Sequence, residues 1–362
     1  MRDDKSRHTG GGRRGRGITL ADVAQAAGVS KTTVSNAYNR PDQLSAPLRQ
    51  RVLEVAARIG YMGPDPIAVT FSRRRAGAIG LVFDDPLTFA LTDPAEVLFV
   101  TGIGEVCERA GVGLVLIPLG PHDDLIRHTL VDGFICHCDI DGDRRVDAAI
   151  GRELPVVVVD GPARPGTGHV GVRDREGAAA AARHLLELGH RQLAVLTAPL
   201  NPDGYTGPAD LARQQGARYY VSKERLLGYR AEAEAAGLDW EEVPVLEASP
   251  YGRQAGHQAV ARLLDSSDRP TALLAASDEL ALGALRAAAE RGIAVPEQLS
   301  IIGFDDAPPA AWSTPTLTTI RQPHRHKGQV ATEQLLGLRP IQDLTYPTEL
   351  VVRSSTARPP IR

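Results

Sequence analysis

The chain has 362 residues, 43% hydrophobic and 23% charged. That is a globular composition, and the length exceeds one ordinary core, so two or three domains are expected and a disordered chain is excluded. No run of eighteen apolar residues is present to form a helical membrane span, and the start, MRDDKSRHTGGGRRGRG, lacks the apolar stretch of a secretory signal.

The net charge of −3 conceals a division. Residues 1–75 hold 14 basic and 6 acidic side chains, and the remainder 27 and 38. A basic head, drawn to polyanions, therefore precedes an acidic body. The three cysteines Cys107, Cys136 and Cys138 offer no paired framework, so a reducing, cytoplasmic setting is expected.

Residues 1–17 are Gly-rich and basic and read as a disordered tail. Residues 18–63 read as three short helices. Thr19 with Asp22 forms a capping-box pattern, and Leu20, Val23, Ala24 and Ala27 make the inner stripe of the first helix. Gly28 supplies a tight turn and Ser30 caps the second helix. In GVSKTTVSNAYN, Thr33, Val34, Ala37 and Tyr38 share one face, and Lys31, Thr32, Ser35, Asn36 and Asn39 share the other. The third helix follows Ser45, carries Pro47 in its first turn and buries Leu48, Val52, Val55 and Ile59. Two short helices around an A-G-V-S turn, braced by a third, predict a helix-turn-helix. Its short polar face suits a major groove, where donors and acceptors meet base edges. The bland alternative is a helical bundle with a solvated face. In residues 64–76, Asp65–Pro66 starts a helix of about two turns before the run Arg73–Arg75; so short a helix is marginal alone.

Beyond Ala76, the apolar runs AIGLVF, GLVLIPL, GFICH, PVVVVD, QLAVLT, TALLAAS and LSIIGFD alternate with helical stretches. This predicts an α/β fold of parallel sheets with helices on both faces, in two lobes. Ligands in such sheets lie off the strand carboxyl ends, which here offer Asp84, Asp85, Asp160, Ser277, Asp278, Asp305 and Asp306. Arg225 opens the helix RLLGYR, and Tyr251 lies in the loop before QAGHQAV. Carboxylates with an arginine and an aromatic platform suit a polyhydroxylated ligand such as a sugar. For Asp278 a helix N-terminal charge is the competing role, and for Asp306 a structural turn.

Other signals carry no chemistry. Gly102 and Gly104 complete no phosphate loop, Cys136 and Cys138 lack a second metal-binding pair, and PHRHKG around His324 and His326 reads as a solvated helix start. Neither G-x-S-x-G nor H-E-x-x-H occurs, so no enzyme, cofactor or metal is expected.

The motifs ITLADVAQAAGVSKTTVSNAYN, VLEVAARIGYMGPDP, VDGFI, ARHLLELGHRQLAVL, RLLGYRAEAEAAGL, PTALLAASDELALGAL, VPEQLSIIGFDDAP, PTLTTIRQP and PTELVVRSSTA follow one another. In this order and spacing the chain resembles the LacI/GalR family of bacterial transcription regulators over roughly residues 18–356. The resemblance implies a helix-turn-helix domain at 18–63 and a hinge helix and linker at 64–76. It also implies a two-lobed, periplasmic-binding-protein-like effector and dimerisation core at 77–356 and a tail at 357–362. Lys31, Thr32 and Asn36 match base-reading positions; Thr19, Ser30, Thr33, Ser35 and Asn39 match phosphate anchors. Ala68 and Phe71 fall on the hinge helix that enters the minor groove, with Phe71 where the family carries a wedging Leu. Arg225, Asp305 and the Ser277 position match effector contacts, and Tyr251 a stacking aromatic; Asp84, Asp160 and Asp278 complete the expected set. The chain would cross between lobes near 172–175, 303–308 and 320–324.

The function so implied is a ligand-responsive regulator, a repressor released from a near-palindromic operator DNA by a small sugar-like effector. A homodimer is expected because no heptad segment follows VVRSSTARPP. An activator, or a corepressor such as a purine, stays open within the class. A cytoplasmic sugar-binding or sugar-processing protein with an incidental basic head is the rival outside it. Two departures bear on the pocket: a long 200–224 loop, bringing Tyr205, Tyr219 and Tyr220 near the cleft, and a short 118–130 segment.

Overall fold

A computed structural model of the protein describes residues 18–63, 75–83, 86–118, 124–137, 140, 142–266 and 269–361. The expected hinge helix, with Ala68 and Phe71, and the strand-end Asp84 lie outside the described residues. The chain divides into two units, residues 1–76 and 77–362.

In the first unit, α1 (Leu20–Ala27), α2 (Lys31–Asn39) and α3 (Ala46–Arg58) enclose Val23, Ala27, Val34, Ala37, Val52 and Ala56. Asp22 accepts from the Thr19 backbone N–H at 2.7 Å, and the Ser30 hydroxyl accepts from Thr33 N–H at 3.0 Å, so both helix starts are capped. Gly28 closes α1 at φ 64°, a left-handed conformation that costs glycine nothing. Two arginines of α3 satisfy carbonyls at the ends of its neighbours. Arg51 donates to Ala27 O at 2.9 Å and Arg49 to Ala37 O at 3.2 Å.

The second unit holds strands β1 (Ala78–Phe83), β2 (Gly113–Ile117), β3 (Phe134–His137), β4 (Val156–Val159), β5 (Gly168–Val172), β6 (Leu193–Thr197), β7 (Gly207–Pro208), β8 (Val245–Glu247), β9 (Ala272–Ala275), β10 (Ser300–Asp305), β11 (Thr318–Arg321), β12 (Asp343–Tyr346) and β13 (Glu349–Val351). Its longer helices are α4 (Pro94–Ala110), α5 (Asp174–Glu187), α6 (Tyr220–Ala235), α7 (Arg253–Leu264), α8 (Asp278–Glu290) and α9 (His324–Leu335). One sheet is all parallel, in the order β12-β5-β4-β3-β1-β2. The other runs β13-β11-β10-β9-β6-β8-β7, parallel except for the antiparallel edges β13 and β7.

The strand period of two divides the apolar runs between two faces. Ile79, Leu81 and Phe83 with Ile135 and Val157 pack under α4 and α9, while Val82, Phe134, Cys136 and Val158 pack on the opposite face. In the second sheet Val195, Leu274 and Phe304 face α5 and α6, and Leu196, Leu273 and Ile301 face α7 and α8. Gly102 has a packing role rather than a phosphate-loop one. A Cβ there would stand 1.9 Å from Arg325 O, and one on Gly328 would stand 2.2 Å from Phe99 O, so α4 and α9 touch backbone to backbone.

The first lobe is built on the first sheet with α4 and α9, the second on the other sheet with α5 to α8. The chain passes between them in the residues joining β5 to α5, β11 to α9, and β12 to β13. The crossing expected at 303–308 is therefore corrected: β10 runs on to β11 within the second sheet, and the third crossing lies at 347–348. The reason is that the C-terminal strands part company, β12 pairing with β5 in one lobe and β13 with β11 in the other.

Candidate DNA-reading face and ligand cavity

On α2, burial of Val34 and Ala37 against α1 and α3 turns the rest of the helix outward. Lys31 and Thr32 are exposed; Ser35, Asn36 and Asn39 are half-buried along the same side. The Thr33 hydroxyl lies 2.9 Å from that of Ser30, so these two side chains pair across the helix start. Asn39 donates to the Ser35 hydroxyl at 3.4 Å. The helix thus presents amide and hydroxyl groups from residues of modest length beside one long cation, a surface suited to base edges and phosphates.

The second unit contains a cleft of about 880 Å³, counting its open mouth, between the carboxyl ends of the two sheets. Phe89, Asp93, Glu96 and Asp160 line it from the first lobe; Tyr219, Tyr220, Arg225, Tyr251 and Asp305 line it from the second. Gln322 and His324, from the crossing strand into α9, form part of the wall.

Arg225 anchors the second-lobe side. Its Nε donates to Asp174 at 2.8 Å, an Nη donates to Ala276 O at 2.5 Å, and its plane lies 3.7 Å from the Phe304 ring centroid. Burial works against its charge, but Asp174 and Asp305 outweigh it and raise its pKa further. Asp305 stands 3.8 Å away and accepts from Gln322 Nε2 at 2.7 Å. The Gln322 carbonyl accepts from Lys327 Nζ at 2.7 Å, and that fully buried ammonium is ion-paired with Asp160. Asp160 also meets His137 Nε2 at 3.3 Å, and His137 Nδ1 lies 3.1 Å from Glu96. A continuous polar chain therefore crosses the cleft floor. Burial works to raise the Asp160 pKa, yet Lys327 and His137 hold it well below the carboxylate range.

Asp160 and Asp305 share a further trait. Their φ values are 57° and 129°, a region unfavourable for side-chain-bearing residues and costing on the order of 1–3 kcal/mol each. Both strand ends twist their carboxylates toward the cleft at that cost. Burial, then the charges of Asp305 and Glu96, push Asp93 up to about 8. Burial also lowers the His324 pKa, which favours a neutral ring at pH 7.

The structure brings Asp160, Arg225, Tyr251 and Asp305 of the expected set to one cavity. Asp278 and Ser277 are corrections as direct contacts: neither lines it. Asp278 is buried, accepting from the Thr319 hydroxyl at 2.5 Å and Ala307 N–H at 2.8 Å; burial and Asp305 raise its pKa well above the usual value. Ser277 caps α8 by accepting from Leu280 N–H at 3.2 Å. Of the loop aromatics, Tyr219 and Tyr220 reach the cavity. Tyr205 does not: it lies under the Arg213 guanidinium at 4.2 Å and donates to Pro208 O. PHRHKG is not a solvated helix start, since His324 and Lys327 are buried.

Sequence reasoning missed Asp93, Glu96, His137, Gln322 and Lys327. Asp93-Pro94 carried a signal as a helix start, and Asp93 indeed caps α4 by accepting from Ala95 N–H at 2.7 Å. The others carry no local signature. Among the described residues no group of His, Cys, Asp or Glu could hold a metal ion, and no helix is long and apolar enough to cross a membrane.

Comparison with known proteins places these sites in context. The pattern of bacterial regulatory proteins, lacI family, matches residues 19–63, and that of periplasmic binding protein-like domains matches residues 182–356. The HTH-type transcriptional regulator Rv3575c of Mycobacterium tuberculosis is 42% identical over 95% of this chain and 98% of its own. The lac repressor dimer, solved bound to operator and the anti-inducer ONPF, superposes with a TM-score of 0.74 at 26% identity, covering 94% of this chain and all of that one. The complex of the transcriptional regulator CelR with cellobiose gives 0.66 at 26%, covering 93% and 99%.

Proposed function

The chain belongs to the LacI family of bacterial regulatory proteins, and from that premise we propose that this transcriptional regulator is a homodimeric repressor, released from a near-palindromic operator by a sugar-like effector. Its class is set by a DNA-binding and a ligand-binding domain in one chain, and its relatives are regulators rather than enzymes. The observation that carries the finer reading is the cleft: buried carboxylates, one arginine and aromatic walls converge at the strand carboxyl ends. Cellobiose in CelR and operator DNA in the lac repressor, both similar chains, support the two ligand classes.

In this reading residues 18–63 form the operator-binding domain, 64–76 the hinge and 77–356 the effector and dimer domain. Lys31, Thr32 and Asn36 read base edges, and Thr19, Ser30, Thr33, Ser35 and Asn39 anchor phosphates. Ala68 and Phe71 enter the minor groove at the operator centre. Asp160, Arg225, Tyr251 and Asp305 contact effector, joined by Asp84, with Asp278 acting through Asp305 and Ser277 as the cap of α8. Effector alters the angle between lobes, which changes hinge spacing in the dimer and so operator affinity, by linkage. The protein works in the cytoplasm.

The test is selection of sites from random duplex DNA, repeated with sugars and nucleobases present. A near-palindromic site lost with a sugar supports the proposal. A site gained with a nucleobase replaces induction by corepression, and no enriched site at low salt removes the DNA-binding role.

A further inference from the structure

The crossings between the lobes all lie along one edge of each sheet. They leave β5 and β12, the last two strands at one edge of the first sheet, and reach or leave β11 and β13, the last two at one edge of the second. The lobes are therefore jaws joined along that edge, and contacts made farther across the sheets resist opening with the longer lever. β6 stands three strands from β11, roughly 14 Å away at about 4.8 Å per strand. A rotation of about 10° about the crossings carries its end about 2–3 Å, enough to part a hydrogen-bonded contact.

Two contacts bridge the jaws away from the crossings. Phe89, after β1, meets Tyr251, after β8, edge to face at 4.9 Å. Ile140, after β3, pairs with Tyr219, just before α6, in an antiparallel backbone bridge. Tyr219 ends the long 200–219 loop, and that loop is fastened along the far edge of the second lobe.

The fastening is continuous. Gly207 and Pro208 form β7 on β8, and Ala209 N–H donates to Val245 O at 2.8 Å. The Thr206 hydroxyl donates to Ser249 O at 2.5 Å while accepting from Ser249 N–H at 2.9 Å. Arg213 bridges two carboxylates. It donates to Asp203 at 2.9 and 3.0 Å, and to Glu247, a side chain with no exposure, at 2.5 and 2.9 Å. Glu247 also accepts from Leu200 N–H at 2.8 Å, and Leu200 O accepts from the N–H groups of Arg218 and Tyr219 at 2.9 and 3.1 Å. Leu200, Ala209 and Ala217 are buried in the second-lobe core. The loop is thus ordered along its length on its own lobe, and it delivers Tyr219 to Ile140 with little conformational freedom left to lose.

We propose that residues 200–219 are a strap. Clamped to the second lobe by Arg213, they hold the first lobe at Ile140, so that the core rests closed on its own contacts. The inference concerns the core alone and stands or falls without operator or effector.

The test uses the full chain carrying Cys138→Ser, with no sugar or DNA added. Partners across an antiparallel bridge stand about 4.5–5.5 Å apart at Cα, within the span that a disulfide accepts. In oxidised glutathione, Ile140→Cys with Tyr219→Cys should form its disulfide at least about tenfold faster than Glu108→Cys with Tyr219→Cys, because the strap sets a high local concentration. Glu108 lies where α4 leads into β2, at the amino ends of the strands and away from the strap. Small-angle scattering reads the lobe angle, and the locked pair should scatter as the parent does. Arg213→Met with Glu247→Gln removes both members of the buried pair, the milder way to break it, and should slow disulfide formation at least about fivefold and raise the radius of gyration. Thr206→Val loses only the hydroxyl contacts with Ser249. It should shift both readings in the same direction by less, and it decides the matter if the double variant fails to fold. A locked pair more compact than the parent would mean that the core rests open, and would overturn the proposal. Disulfide formation no faster than in the control pair does the same, as do folded strap variants that leave both readings unchanged.

Discussion

Gln322 donates its amide to Asp305 at 2.7 Å while accepting from Lys327 at the same distance, so one side chain at the crossing between the lobes joins the acid of one to the ammonium of the other. An amide carries a donor and an acceptor on separate atoms, so it can serve both partners at once. Gln322→Leu keeps the volume and removes both bonds. It is expected to cost about 1–3 kcal/mol in urea unfolding, because the buried Lys327 loses an acceptor. Unchanged stability would mean that water replaces the amide.

Lys327 and Asp160 form the second case. Removing one member of a buried pair leaves the other uncompensated, at about 3–5 kcal/mol, whereas removing both is far milder. Lys327→Met should therefore be strongly destabilising and Lys327→Met with Asp160→Asn markedly less so. A double variant as unstable as the single would show that packing, not charge, is what Lys327 provides.

Asp93 makes stability depend on pH. Its folded pKa is about 8 against an ordinary 3.8, so between these values the folded state holds a proton that the unfolded state has released. Its contribution is thus fully present below about pH 4 and is lost as pH rises through 8. Asp93→Asn keeps an acceptor for the Ala95 N–H and removes the ionisation. Relative to the parent, it should gain at least about 1 kcal/mol between pH 5 and pH 8, since each pKa unit is worth about 1.4 kcal/mol. Parallel stability curves from chemical unfolding across that range would contradict the assignment.

Gly102 tests the α4–α9 contact. With a Cβ placed 1.9 Å from a backbone oxygen, Gly102→Ala must push the helices apart. A loss of about 1–3 kcal/mol or more is expected in thermal or urea unfolding, although alanine is the better helix former. Gly104, with nothing within 4 Å of its Cβ position, is the control: Gly104→Ala should be neutral or stabilising.

Ser30 and Asn36, both on the proposed operator face, should separate stability from specificity. Ser30→Ala removes a cap and is expected to cost the 18–63 unit about 0.5–2 kcal/mol, visible as faster amide exchange in α2. Asn36→Ala touches no cap and should leave exchange unchanged while altering base preference in the selected sites. An unaltered preference would mean that another face of α2 enters the groove.

The three N-terminal helices were legible because their determinants are local. Thr19 with Asp22, Gly28, Ser30 and Pro47 act within one turn, and the apolar stripe has a helical period. The runs AIGLVF, PVVVVD and LSIIGFD were legible as strands because burial on both faces makes them continuously apolar. Short or polar strands such as VLE at β8 and DLTY at β12 hold their place only through the neighbours they pair with, and carry no such signal.

The cavity divides in the same way. Strand-end carboxylates and the arginine of RLLGYR could be nominated from the sequence, because strand ends are where such sheets bind. Which of them face the void was decided by tertiary structure. Asp278 turns inward to Thr319 and Ala307, while Glu96, Gln322 and Lys327 arrive from helices and a crossing remote in sequence. The sequence by itself determined the helix-turn-helix, the parallel α/β body and the family, since each rests on short-range pattern and motif order. The third lobe crossing and the buried polar chain from Glu96 to Asp174 exist only once residues remote in sequence, such as Asp160 and Lys327, are packed together, because ion pairing and desolvation depend on distance in space.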